Sequence, residues 1–317
     1  ALGAALATGL PSAFCVVPGP GFLNTSAALA TAYSTNAKVL ALLGQVNLSS
    51  IDRGYGLLHE VRDQIGILRT MTKWAERIES PADAARLTQE SFRQLGAGRP
   101  RPVGLECPMD IWGRKAPVIT PSSPADEEIL PVDTDKVQEA AKLLGAAKNP
   151  MIVVGGGAQG ASIEVRRIAE MLEAPVCSYF MGRGVLDSRH HLSITMPTGN
   201  QLWKNVDVVL GVGTRMQPHQ QRWGMDEKLK IIRIDLSQEE MDRITKPKIG
   251  IVGDAATVLT ALIDVLPKHN SARVSRKDEL DEARAKTLQK LCLYKIKIKN
   301  WKWNPFCLFF DLFFPWV

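Results

Sequence analysis

Three consecutive glycines follow a short apolar run, a context in which a backbone turn can hold a phosphate. Gly155, Gly157 and Gly160 fit the G-x-G-x-x-G spacing of dinucleotide-binding turns, with Gly156 between the first two. That fingerprint also needs an acidic residue about twenty residues further on, and the segment CSYFMGRG at that place contains none. A nicotinamide site is therefore disfavoured, and close packing of a helix against a strand explains these glycines more simply.

A second group of residues that could bind a ligand follows two later strand-like runs. Gly213 and Arg215 lie in the turn GVGTR, and Asp235 ends the run KIIRID. Because ligands of open α/β sheets gather at the carboxyl ends of the strands, Arg215 could meet a phosphate and Asp235 a ribose or ribityl hydroxyl. For each residue the alternative is a surface ion pair or a helix cap, since Ser237 and Glu240 have capping-box spacing.

A third turn contains no charged residue. The stretch VVPGPGFLN, residues 16–24, places two prolines and two glycines between a β-branched run and a helix-like segment that begins at Asn24. Proline fixes φ and glycine removes the side chain, so such a turn bends sharply or lets another group come close. A phosphate cradle, another kind of ligand turn and a plain strand-to-helix corner all remain open from the residues alone.

Histidine, serine and cysteine patterns exclude several classes of enzyme. No two of the five histidines are four residues apart and accompanied by an acidic residue, so no metal site is predicted. No G-x-S-x-G elbow and no P-loop motif occur, which excludes simple serine hydrolases and P-loop NTPases. The cysteines lack a C-x-x-C pair, which is typical of buried thiols in a reducing cytosol. Burial is expected for the three in apolar runs: Cys15, Cys107 and Cys177.

The net charge of +6 lies at one end of the chain. Residues 268–317 hold 11 Lys and Arg against 5 Asp and Glu, and the remaining 28 of each sign lie in residues 1–267. The neutral body argues against a nucleic-acid partner. The last 26 residues hold nine of the twenty aromatic residues and no Ala or Gly, and their apolar stretch is too short for a membrane span. An interfacial anchor, an ordinary C-terminus and an aberrant end from read-through or a frameshift remain open, and the abrupt change of composition favours the last.

The elements that must position these residues alternate between strands and helices. In residues 1–117, the runs SAFCVV, KVLALLGQV and VGLECP are interpreted as buried strands, and Ser80 with Pro81 as the start of a helix. Residues 118–132 are rich in Pro, Ser and acids and are interpreted as a linker, and residues 133–267 alternate again. The pattern predicts an α/β fold of two doubly wound domains with mainly parallel sheets.

Taken in order, these motifs resemble the thiamine-diphosphate-dependent enzymes of the acetolactate synthase, benzaldehyde lyase and oxalyl-CoA decarboxylase type. The turn Gly19-Pro20-Gly21, then Asn24, then a strand ending in Gly44-Gln45, is similar to the family's pyrimidine-binding domain. The runs PMIVVGGGA, VDVVLGVGTR, KIIRIDLSQEEM and GIVGDAATVL are similar to its central, Rossmann-like domain. The resemblance covers residues 1–267.

The resemblance implies thiamine diphosphate with Mg²⁺, and chemistry that makes or breaks C–C bonds next to the carbonyl of a 2-keto acid or acyl donor. It also implies a cytoplasmic homodimer or homotetramer. The pyrimidine and substrate side would be lined by Gly19, Pro20, Gly21 and Asn24, with Gln45 and His59 facing the reacting centre. For His59 the alternative is a loop imidazole in contact with solvent, and Lys73 is interpreted as a solvated charge at a helix end.

Several features depart from the family pattern. The family's catalytic Glu would precede Ala1, Glu60 lies in the wrong element, and no Gly-Asp-Gly metal motif occurs. TMPTGN stands where FAD-binding relatives have a Gly-x-His-Gly loop, so the central domain could bind FAD, ADP or nothing. We therefore expect a truncated chain, with its start and third domain absent, that does not catalyse alone. The alternatives are an unstable gene product and a non-catalytic FAD-, ADP- or CoA-binding module.

Overall fold

The computed structural model describes residues 1–117 and 130–299 and divides the chain into two compact units, with the boundary between residues 131 and 132. Most of the predicted linker, residues 118–129, and most of the aromatic tail, residues 300–317, lie outside the described residues. None of the helices in the described residues combines the length and the apolar character of a membrane span. The finer domain boundaries stay predictions.

Unit 1 contains a four-stranded sheet in which every pairing is parallel. In spatial order its strands are β1 (Ser12–Val16), β2 (Val39–Gln45), β4 (Val103–Pro108) and β3 (Trp74–Arg77). The shared direction brings the carboxyl ends of all four strands to one edge of the sheet. The turn at residues 19–21 follows β1 at that edge, and Gln45 ends β2 there.

Within residues 1–117, four α-helices accompany this sheet: α1 (Leu2–Thr8), α2 (Pro20–Thr35), α3 (Gln64–Met71) and α4 (Ala84–Gly96). The Asp63 side chain accepts a hydrogen bond from Gly66 N and caps α3. Ser80 does cap as predicted, although the turn it starts is 3₁₀ and precedes α4. Fully or nearly fully buried apolar side chains from α2, β2, β4 and α3 form the core of the unit: Phe22, Leu29, Leu43, Leu68 and Leu105.

The structure corrects three of the expectations for unit 1. Strand β1 is not buried, because it lies at an edge of the described sheet and its residues alternate between half-buried and exposed, so Cys15 is exposed. Helix α2 begins at Pro20 and not at Asn24, since proline suits the first helical position. Lys73 is half-buried and not solvated, because its Nζ donates to carbonyl oxygens at the end of α4, including that of Gln94 at 2.8 Å.

Unit 2 contains a six-stranded parallel sheet in the order β10-β9-β8-β5-β6-β7. Numbered within the unit, this is the 3-2-1-4-5-6 order of a doubly wound sheet, with a switch point between β5 and β8. The strands are β5 (Pro150–Val154), β6 (Val176–Ser178), β7 (Ser193–Ile194), β8 (Val208–Val212), β9 (Lys230–Asp235) and β10 (Ile249–Val252). Both sheets confirm the predicted α/β class with mainly parallel strands.

The helices of unit 2 pack on its sheet and close a continuous apolar core. They are α5 (Thr134–Ala146), α6 (Ser162–Leu172), α7 (Met196–Trp203), α8 (Gln217–Arg222), α9 (Gln238–Met241), α10 (Ala255–Val265) and α11 (Lys277–Lys299). Asp133 and Asp254 cap α5 and α10 through their carboxylates. The first half of α11 is docked on this unit, since Arg284 donates to the carbonyl oxygen of Ser193 at 2.9 Å.

Candidate functional site

The turn at residues 19–21 has only one side chain, that of Pro20, because other groups lie too close to its backbone for a Cβ at Gly19 or Gly21. Gly19 has φ +58°, and a Cβ there would lie 2.6 Å from the carbonyl oxygen of His59. A Cβ on Gly21 would lie 2.6 Å from Val17 Cγ2. Residue 19 therefore needs glycine for its left-handed backbone and for the close approach of the His59 peptide.

Beneath this turn, the amide of Gln64 makes three hydrogen bonds. Its Oε1 accepts from the backbone N–H of Gly19 at 2.8 Å, and its Nε2 donates to the carbonyl oxygen of Gly44 and to Oε2 of Glu106, both at 2.9 Å. Gln64 is 1% exposed. The amide oxygen and both amide hydrogens are thus used, which fixes the orientation of the side chain.

Glu106 carries a buried negative charge at the centre of the same network. Its side chain is fully buried, and Oε1 accepts from Nε of Arg77 at 2.5 Å. The two residues lie opposite each other across the β3–β4 pair. Gln45 Nε2 donates to Oε2 of Glu106 at 3.2 Å. A buried carboxylate is tolerated when it is paired and hydrogen-bonded in this way.

The predicted site residues of unit 1 lie at this edge of the sheet but differ in how far their side chains are exposed. Gln45 is 2% exposed, and its Oε1 accepts from Val46 N, so its amide lies within the buried network. His59 is half-buried in a loop with φ +70°. Asn24 is exposed on the first turns of α2. Their contact with a ligand stays a prediction.

Sequence reasoning missed Gln64, Glu106 and Arg77. A signal was available for Glu106, since a lone carboxylate in the apolar run VGLECP needs a buried partner. Next to it in β4, burial and the charge of Asp110 raise the pKa of the Cys107 thiol. That thiol is therefore protonated at neutral pH and is not poised as a nucleophile.

The glycine turns of unit 2 are packed against each other. A Cβ on Gly157 would lie 2.8 Å from Gly213 Cα, and one on Gly155 would collide with the carbonyl oxygen of Gly213. The backbone N–H of Gly155 donates to Val212 O, that of Gly157 to Gly213 O, and that of Gly213 to Ile234 O. Gly156 is exposed beside Met181. This geometry favours the packing interpretation, and a ligand role for these glycines stays a prediction.

The charged residues at the neighbouring strand ends are engaged with one another. Asp235, 4% exposed, accepts from Ser237 N at 3.1 Å and lies 3.7 Å from Arg233, whose guanidinium is buried. Arg215 lies 3.7 Å from the carboxylate of Glu240. These contacts favour the ion-pair alternative of the sequence analysis, although the pair of Asp235 and Arg233 is buried and not at the surface, and a ligand role for Arg215 and Asp235 stays a prediction. The capping box is wrong, because Glu240 pairs with arginines and Ser237 makes no side-chain cap bond.

A buried histidine packs against two tryptophans, which also contact each other, near α7 and α8. The ring of His219 is 4.2 Å from that of Trp223 and 5.5 Å from that of Trp203, measured between centroids. His219 is 0% exposed, and neither ring nitrogen has a hydrogen-bond partner among the described residues. Burial lowers the pKa of this imidazole to about 4. Among the described residues, no group of three or more His, Cys, Asp or Glu could hold a metal ion.

Comparison with known families accounts for both units. The family model "Thiamine pyrophosphate enzyme, N-terminal TPP binding domain" matches residues 1–67, and "Thiamine pyrophosphate enzyme, central domain" matches residues 137–262. The chain belongs to the thiamine-pyrophosphate-dependent enzymes. Thiamine pyrophosphate is another name for thiamine diphosphate, so the predicted family is confirmed. The N-terminal match contains the turn at residues 19–21 and the predicted residues Asn24, Gln45 and His59.

Individual relatives are similar along most of this chain. A probable acetolactate synthase large subunit of Methanocaldococcus jannaschii is 31% identical over 282 residues, which is 83% of this chain and 47% of the relative. Acetolactate synthase isozyme 3 large subunit of Escherichia coli K12 is 29% identical over 85% of this chain and 49% of its own. A probable 2-ketoarginine decarboxylase of Pseudomonas aeruginosa is 29% identical over 86% and 51%. The chain therefore spans about half the length of these relatives.

Proposed function

We propose that unit 1 supplies the pyrimidine side of a thiamine diphosphate site. The observation that carries the proposal is the match of the N-terminal TPP binding domain to residues 1–67, because the turn at residues 19–21 lies inside it. The turn bears no side chain except that of Pro20, and exposed Val17 and Leu23 flank it. An apolar, side-chain-poor surface of this kind fits a flat heteroaromatic ring.

The residues of this chain would bind and orient the cofactor. Gly19, Pro20 and Gly21 would let the pyrimidine ring lie close to the backbone, and the exposed amide of Asn24 would supply a polar contact. Gln45 and His59 would face the reacting centre, Gln45 only if its amide leaves the buried network. When bound, thiamine diphosphate serves as the electron sink for making or breaking a C–C bond next to a carbonyl.

The relatives support a substrate class for the complete enzyme. Two are named acetolactate synthase large subunits and a third a 2-ketoarginine decarboxylase. We propose a 2-keto acid or a related acyl donor as substrate, Mg²⁺ as the partner of the diphosphate, and a cytoplasmic homodimer or homotetramer as the assembly.

We also propose that the 317 residues do not complete a reaction by themselves. The Gly-Asp-Gly motif that would hold Mg²⁺ and the diphosphate does not occur among them, and Asp254 in Gly253-Asp254-Ala255 caps α10. Incubation of the purified chain with pyruvate, thiamine diphosphate and Mg²⁺ should consume no pyruvate. Steady turnover in this assay would contradict the proposal.

Ligand contact is tested separately from turnover. Saturation-transfer NMR with millimolar thiamine diphosphate should show the pyrimidine protons in contact with the chain. Asn24→Ala should weaken this signal, whereas Thr31→Ala, a matched change further along the same helix, should leave it unchanged. Equal signals from all three proteins would refute the assignment of Asn24.

Nucleotide binding by unit 2 is the alternative function. Its candidate residues are Gly155, Gly156, Gly157, Gly213, Arg215 and Asp235. Equilibrium dialysis with FAD, ADP and coenzyme A tests it directly. The backbone N–H groups of Gly155, Gly157 and Gly213 already donate to carbonyl oxygens of the chain. We therefore expect that the chain retains neither FAD, ADP nor coenzyme A.

A further inference from the structure

Gln64 connects the turn at residues 19–21 to the buried charge of unit 1. Gly19 precedes the 16-residue helix α2, at whose N-terminus backbone N–H groups lack partners within the helix. The Gly19 N–H is directed inward to Gln64 Oε1 at 2.8 Å. On its other side, Gly19 packs against the His59 peptide. The turn is therefore held between the Gln64 amide and the backbone of the 46–63 loop.

The Gln64 amide is in turn held by groups that cannot easily move. One Nε2 hydrogen bond goes to Glu106, whose carboxylate is fully buried and bound by Arg77 from the neighbouring strand. Hydrogen bonds to a charged partner are stronger than bonds between neutral groups. The second Nε2 bond goes to the carbonyl oxygen of Gly44, near the end of β2.

We propose that Gln64 is a positioning residue, which sets the place of the Gly19 backbone through its hydrogen bond and takes its own orientation from Glu106. Its importance for the cofactor rests on the proposed function, since Gly19 would lie against the pyrimidine ring. The coupling between Gln64, Glu106 and Gly19 is a property of the chain itself and can be measured without any ligand.

Hydrogen exchange at Gly19 in the full chain tests this coupling. Pro18 and Pro20 have no backbone N–H, so the Gly19 amide is resolved from its neighbours by peptide fragmentation. Gln64→Met keeps the size of the side chain but removes the acceptor, and should speed exchange at Gly19 by about tenfold, as expected for the loss of one buried hydrogen bond. Gln94→Met, the same change on α4, is the matched control and should have no effect at Gly19.

An exchange of roles separates positioning from general stability. Gln64→Glu places a second carboxylate beside Glu106 and should speed exchange at Gly19. The double variant Gln64→Glu/Glu106→Gln has one amide and one carboxylate in reversed positions, so the bond between residues 64 and 106 can form again and the repulsion between two carboxylates is removed, although Arg77 loses its carboxylate partner. Its Gly19 amide should exchange more slowly than that of Gln64→Glu alone.

Three results would overturn the proposal. These are unchanged exchange at Gly19 in Gln64→Met, an equal increase at amides throughout β2 and β4, and no recovery in the double variant. None of these measurements uses thiamine diphosphate. A failure here is therefore distinguishable from a failure of the proposed function, which the NMR contact assay reports.

Discussion

Replacing His219 by Phe should remove a decrease in the free energy of unfolding of unit 2 at acid pH. Burial beside Trp203 and Trp223 lowers the pKa of this imidazole from 6.5 to about 4. Well above pH 6.5 the ring is neutral in both the folded and the unfolded chain, so its protonation does not affect the stability. As the pH falls from 6.5 to 4, the unfolded ring binds a proton that the folded ring refuses, so the free energy of unfolding decreases.

The size of this loss follows from the two pKa values. Each pKa unit corresponds to about 1.4 kcal/mol, so the full loss below pH 4 is about 3 kcal/mol, and at pH 5 it is about 2 kcal/mol. In His219→Phe this dependence should disappear. At pH 7.5 the variant should be at least as stable as the wild type, because two unpartnered buried nitrogens are removed.

The assay is urea unfolding of both proteins from pH 7.5 to pH 5. Unfolding is monitored through hydrogen exchange of the β8 amides, so that unit 2 is measured alone. His219→Leu serves as a second variant in case the larger ring overpacks the site. His59→Phe, in unit 1, is the control and should leave the pH dependence of unit 2 unchanged. A difference between wild type and His219→Phe that stays constant over this pH range would refute the reasoning.

Three further predictions concern other parts of the chain. Glu106→Gln should lower the free energy of unfolding of unit 1 by about 2–3 kcal/mol, because the half-buried charge of Arg77 loses its carboxylate partner; urea unfolding followed at β2 measures this, and an unchanged midpoint would contradict it. Iodoacetamide should label exposed Cys15 readily in the folded chain but Cys177 only after unfolding, because burial raises the pKa of the Cys177 thiol to about 12; mass spectrometry decides. Gly213→Ala should destabilise unit 2 by about 2 kcal/mol or more, since residue 213 has φ +52° and a Cβ would collide with the facing glycine turn. The measurement is thermal melting. Its control is Gly160→Ala, because a Cβ at residue 160 would meet nothing within 4 Å.

The strands that sequence predicts well are those buried on both faces. β2, β5 and β8 are runs of mainly apolar residues, and each ends at the carboxyl edge where a turn begins. β9, KIIRID, was recognised by its apolar residues although it also contains Lys230, Arg233 and Asp235. Strand β3 was missed because its four residues WAER include two charges and lie at a sheet edge. The two-residue strand β7 is too short to leave a pattern. The predicted burial of β1 was wrong because β1 lies at an edge of the sheet, and the order of all the strands decides which of them lie at an edge.

The buried network of unit 1 could not be predicted from local spacing. Gln64 and Glu106 are 42 residues apart, and Gln45 and Glu106 are 61 residues apart. The parallel pairing of β2 and β4 brings Gln45 close to Glu106, and the start of α3 brings Gln64 to both of them. The resemblance to the family led to the turn at residues 19–21 and to Gln45, but not to the groups that hold them.

The two glycine turns show what a glycine motif does and does not establish. In both, glycine is needed because another group approaches the backbone too closely for a Cβ. At Gly19 that group is the His59 peptide, and a buried side-chain network holds the N–H. At Gly157 it is the backbone of Gly213 itself. The motif thus predicts a close approach, and only the structure identifies what approaches. The G-x-G-x-x-G spacing of unit 2 alone is therefore weaker support for a ligand than the turn of unit 1, which lies within a matched cofactor-binding domain.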